Sequence, residues 1–147
     1  MNPHMSRGIL AIALSVFLTH AAPAAAQTAA ATATKQLTDA AETLKSYSVE
    51  KKNEAVAYGK KLVSDFDVKI KELETRTSKD ASAAAADAKR QMKELSDLKA
   101  ARANASKQLD AMSKSSAEAW NSAKQAFADS YKDLHKAYDT AAAKVKK

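Results

Sequence analysis

The chain has 147 residues, no cysteine, two glycines and two prolines, with 24 Lys/Arg against 17 Asp/Glu for a formal net charge of +7. Without cysteine there can be neither disulfides nor thiolate metal ligands, and with aromatic residues at 5% large side chains are too sparse for a deep globular core. The lysines alternate with Asp and Glu instead of clustering, which excludes the basic patch that nucleic-acid binding requires.

Residues 1–26 read as a signal peptide. Arg7 supplies the positive start, and residues 8–18 form an apolar core too short to span a bilayer. Ala24-Ala25-Ala26 supplies the small residues of a cleavage site, so cleavage is expected after Ala26, leaving Gln27 first. The address implied is periplasmic or secreted. No cysteine follows the apolar core, which excludes a lipid-anchored one. Both prolines leave with this segment. The remainder keeps only Gly59 as a helix breaker and can be helical nearly throughout.

Residues 27–37 are Ala/Thr-rich without apolar periodicity and are expected to be disordered. Thr38 then offers an N-cap, with Asp39 and Glu42 in the positive end of the first turn. The first helix is expected over about 38–76. Its apolar residues step by eleven: Leu44, Ala55 and Phe66; Tyr47 and Tyr58; Leu62 and Leu73. Asp65 with Lys69, Asp67 with Lys71 and Glu72 with Arg76 are spaced to pair along its outer face. Gly59 inside this pattern predicts a local weakening or the close approach of a neighbouring helix.

Thr77-Ser78-Lys79-Asp80 lacks large apolar residues and is the expected turn, with Thr77 or Ser78 as the next N-cap. The second helix opens in the alanine-rich run 81–88, and Met92, Leu95 and Leu98 restore its stripe. From there the pattern is regular. Leu98, Leu109, Trp120 and Tyr131 recur every eleven residues, as do Ala101, Met112, Ala123, Leu134 and Val145, and Ala105, Ser116, Phe127 and Tyr138. Eleven residues make about three helical turns, so these rows return to one face, with Trp120, Ala123, Phe127, Tyr131, Leu134, Tyr138 and Val145 inside an arc of roughly 80°. Ser115 and Glu118 have capping-box spacing, which would break the helix at 113–116. The register crosses that point without a slip, so a continuous or kinked helix is favoured there. Lys144, Lys146 and Lys147 suit the negative end of the helix.

The expected fold is therefore all-α. Residues 38–147 would form long antiparallel amphipathic helices, a helical hairpin, or three helices should 113–116 break. Leu98, Leu109, Met112, Trp120, Phe127, Tyr131, Leu134 and Tyr138 form the candidate interaction face. It reads first as a helix–helix seam and second as a face for a membrane surface, with lysines reaching anionic headgroups. A stripe this thin predicts self-association, or other envelope proteins as partners, to complete its burial.

Ala119-Trp120, Tyr131, Leu134 and Ala137, with Ile70-Lys71-Glu72-Leu73, Ala86-Asp87-Ala88-Lys89 and Leu98-Lys99-Ala100-Ala101-Arg102 upstream, resemble a family of small bacterial alanine-rich coiled-coil stress-response proteins. Ala123 stands where that family favours Leu, Tyr131 replaces its second Trp, and Ala117 its Gly. The resemblance implies long helices and a non-enzymatic envelope or stress role, and it transfers no catalytic or ligand residue. The eleven-residue period is also similar in pattern to exchangeable apolipoproteins and desiccation-protective proteins.

The residues suggest no reaction chemistry. His135, between Lys132 and Lys136 on the helix flank, reads as a solvated surface histidine. No set of ligands converges for zinc, no serine has an oriented base, no Gly-rich loop could cradle phosphate, and the paired carboxylates Asp65/Asp67 and Asp129/Asp133 read as outer face. No enzyme activity, metal, cofactor or nucleic acid is expected. The leading expectation is an exported, stress-associated envelope protein acting through an extended amphipathic surface. The alternatives are a peripheral lipid-binding protein and a coiled-coil spacer, roughly 160 Å long if its helix runs unbroken.

Overall fold

The structure is a computed structural model that describes residues 24–79 and 84–145. The chain is all-helical there: α1 (Ala24–Ser46), a 3-10 turn (Val49–Lys51), α2 (Lys52–Lys79), α3 (Ala85–Lys114) and α4 (Trp120–Lys144). These pack as a helix bundle around one core. Residues 1–23 of the expected signal peptide, 1–26, including its apolar core 8–18, lie outside the described residues. No described helix is long and apolar enough to cross a membrane.

Three expectations about helix boundaries are corrected. Residues 27–37 are part of α1, so the segment expected to be disordered is helical, and Thr38 lies mid-helix instead of capping its start. The single helix expected over 38–76 is broken at Tyr47 and Ser48. The helix favoured through 113–116 ends at Lys114, where Ser115 turns extended at φ −65°, ψ 147°. At the two breaks, contacts across the bundle outweigh the helical register that passes through.

Helix α2 runs through the expected turn as far as Lys79, and α3 begins at Ala85. Thr77 Oγ1 and Ser78 Oγ donate back to the carbonyls of Leu73 and Glu74 in the last turn of α2, and neither is the N-cap of α3. The α3 N-cap is Ala84, whose carbonyl accepts from the amides of Asp87 and Ala88 at 2.9 Å. The alanine run thus enters the helix at Ala85, and residues 80–83 lie outside the described residues.

Partners on α2 and α3 come in reverse order. Lys52 meets Ser115, Asp67 meets Arg102, and Glu74 meets Lys99. Gln91 near the start of α3 donates to the carbonyl of Lys144 at the end of α4 (3.0 Å). Helix α4 packs on α3, α1 and α2. Ala40, Leu44, Phe66, Leu73, Leu98, Met112, Phe127 and Leu134 fill the interior, among a larger set of buried apolar residues. Gly59 is buried where α2 crosses Leu109 and Phe127, so close approach is what its missing side chain allows.

Candidate functional site

The predicted interaction face points inward. Leu98, Leu109, Met112, Trp120, Phe127, Tyr131 and Leu134 are all buried in the core, and Tyr138 is half-buried against it. Phe66 of α2 stands edge-on to Tyr131 and Tyr138, with ring centroids 5.7 Å apart in both cases. The face is thus consumed by the chain's own helices. Burial pushes the Tyr131 phenol up to about 12, helped by Tyr58 and Asp65, and it raises Tyr138 for the same first reason.

His135 is not the solvated surface residue expected. It is 6% exposed, stands 5.8 Å from the Phe66 ring, and has Nδ1 3.2 Å from Asp139 Oδ2. Lys124 and Ser130 are buried on the same helix. The outer-face pairs also differ from expectation. Asp65 pairs with Lys61, Lys69 lies over the Phe66 and Tyr138 rings, and Asp67 takes a bidentate fork from Arg102 of α3 at 2.6 and 2.7 Å. The fork holds the Arg102 guanidinium above its ordinary pKa. Sequence spacing along α2 could not show the fork because its partner comes from another helix.

The most unusual constellation lies where the two breaks meet. The indole Nε1–H of Trp120 donates to the carbonyl of Tyr47 at 3.2 Å. Lys124 Nζ donates to the same carbonyl at 2.6 Å and to that of Lys45 at 3.0 Å, and lies 5.6 Å from the Trp120 ring centre. The cation thereby caps the negative C-terminal end of α1, where the last carbonyls have no helical partner. In the other direction, Lys52 Nζ donates to the carbonyl of Ser115 at the end of α3. Each break is held by a residue that immediately follows the other.

The breaks also share local chemistry. Ser48-Val49-Glu50 and Ser116-Ala117-Glu118 both place a hydroxyl two residues before a carboxylate. The Glu50 carboxyl is held below its usual range first by the Ser48 hydroxyl and then by its own amide. That of Glu118 is lowered first by its own amide and then by Ser116. Ser116 Oγ accepts from the Ala119 amide at 3.3 Å. The acceptor at the second break is thus Ser116, not the Ser115 that capping-box spacing indicates.

Among the described residues no group of three or more His, Cys, Asp or Glu is placed to hold a metal ion. A shallow depression between the end of α2 and the start of α3 is lined by Glu74, Thr77, Met92, Leu95 and Lys99 among others. Glu74 and Lys99 are ion-paired within it. Comparison with protein-family models, curated proteins and solved structures finds no match to this chain.

Proposed function

We propose that this chain is an exported, non-enzymatic helical protein that protects other proteins or membranes of the envelope under stress and associates with itself. The supporting observation is how the side chains are divided. Every large aromatic of the C-terminal stripe is turned into the bundle, and the described surface is a mosaic of charge pairs such as Lys61–Asp65, Lys93–Asp97 and Lys114–Asp110. A charged, helical shell of this kind suits shielding by exclusion and weak contact better than capture of a small ligand. In this reading α3 and α4 form the long hairpin on which α1 and α2 are assembled. Arg7, the apolar run 8–18 and Ala24-Ala25-Ala26 support export.

The test is thermal aggregation of an unrelated enzyme, followed by light scattering, with the purified protein added at equimolar ratio. Aggregation is expected to slow several-fold. The same protein incubated with anionic vesicles at low salt separates the two targets, since membrane protection requires co-sedimentation that fades as salt rises. No effect in either assay overturns the reading.

A further inference from the structure

We propose that the interlocked breaks are the hinge of a domain-swapped dimer, in which α3 and α4 straighten into one helix and α4 completes the bundle of a second copy of this chain. The inference deepens the self-association half of the reading above and is independent of protection.

The linker itself permits the change. Ser115-Ser116-Ala117-Glu118-Ala119 contains neither Gly nor Pro, so nothing in its covalent structure forbids a helix. The eleven-residue rows run through it unshifted: Leu109 and Met112 before it share a phase with Trp120 and Ala123 after it. A straightened helix therefore keeps one continuous apolar face. Two such helices lying in opposite directions each cover half of the other, with their crossing at residues 115–119.

The hydrogen bonds of the hinge are conserved in the exchange. Trp120 and Lys124 travel with α4, so the Tyr47 and Lys45 carbonyls of the receiving copy regain the donors they have now. Of the bonds that reach across to α1 and α2, the Lys52 bond to the Ser115 carbonyl is lost, and the turn bonds of the Ser115, Ala119 and Trp120 amides to the Met112 carbonyl, the Ser116 hydroxyl and the Ala117 carbonyl give way to helical ones. In a continuous helix the Ser115 carbonyl accepts from the Ala119 amide instead, while Lys52 returns to water.

The occupant follows from burial. Trp120 is 2% exposed, and Phe127 and Leu134 are fully buried. A lone chain with α4 released would expose all three, so release is favourable only when an identical surface receives them. Among the described residues the exposed large hydrophobics are Val68 on α2 and Met92 on α3, which offer no comparable apolar surface for a dimer of closed bundles.

The experiment is size-exclusion chromatography with light scattering on the full chain, equilibrated warm over a wide concentration range and then diluted. The wild type is expected to form a dimer that grows with concentration and dissociates over hours, because exchange requires opening. Ser116→Pro fits the closed hinge, since Ser115 already holds the extended backbone that a following proline demands. It breaks a continuous helix, and should weaken the dimer at least about a hundredfold with helix content unchanged. Ser115→Ala with Ser116→Ala removes hydroxyls that close the break, Ser115 on the Met112 carbonyl and Ser116 under the Ala119 amide, and should strengthen the dimer about tenfold. A dimer of unchanged strength in folded Ser116→Pro overturns the swap while leaving ordinary self-association standing. No dimer in any of the proteins overturns both. Should Ser116→Pro lose its helix content, a dimer not strengthened by the double alanine change overturns the swap.

Discussion

Gly59 sits at a close approach of α2 to Leu109 and Phe127. A Cβ built there would stand 2.6 Å from Leu109 Cδ1 and 3.0 Å from Phe127 Cε1. Alanine would gain up to about 1 kcal/mol of helix propensity, but forcing a methyl into a filled core costs about 1–3 kcal/mol. Leu109 can give by rotation more easily than the Phe127 ring can. Gly59→Ala should therefore destabilise by about 1 kcal/mol in urea denaturation, and by less in a Leu109→Ala background where the nearest atom is gone. Tyr131 carries a second expectation at this scale. Its folded pKa, pushed up to about 12, lies above the ordinary value of 10.0. The unfolded chain thus releases this proton first, so the contribution is complete below pH 10 and disappears as pH rises towards 12. Circular dichroism melts should fall over that window, and Tyr131→Phe should flatten the fall. His135 shows why some residues were illegible. A stripe of about 80° presumes that a helix has one neighbour, but α4 packs on three. Its buried face, widened to take in Lys124, Ser130 and His135, spans roughly 160° at 100° per residue.

Between elements, the two breaks decide the architecture. Helical character and the inward set of residues were legible because an eleven-residue period leaves one face apolar whatever the helix packs against. The breaks were not, because the same period is satisfied equally by a straight helix and by two segments folded back with their apolar faces together. What chooses between them is capping by residues distant in sequence, above all Lys124 on the end of α1 and Lys52 on the end of α3. Replacing Lys124 by methionine keeps much of its apolar stem but leaves the Lys45 carbonyl without this donor, and Tyr47 with Trp120 alone. Charge-assisted bonds of this kind are worth about 1.5–3 kcal/mol. Lys124→Met should raise amide hydrogen exchange over the last two turns of α1 by about tenfold or more, with the middle of α3 unchanged. Equal loosening of both helices would mean that the cation supports the whole fold and not the end of α1.

At the scale of the whole molecule, a charged shell and a thin core compete as explanations of stability. Among the described residues most ion pairs lie three or four residues apart, as in Lys45–Glu42, Lys61–Asp65, Lys93–Asp97 and Lys114–Asp110. Exposed pairs of this type contribute about 0.3–0.5 kcal/mol each and are screened by salt. Arg102–Asp67 and Lys99–Glu74 join α3 to α2, but both remain partly open to water. The core, in contrast, holds Leu98 with no exposure at all, and a leucine truncated in such a site costs about 2–5 kcal/mol. Raising sodium chloride from low to half-molar should therefore change the urea stability by less than about 1 kcal/mol, whereas Leu98→Ala should remove several times as much. The two effects also differ in sign with salt, since screening weakens pairs while apolar burial is insensitive or slightly strengthened. A protein destabilised more by salt than by Leu98→Ala would be held by its charges, and its inward stripe would be a lining instead of a core.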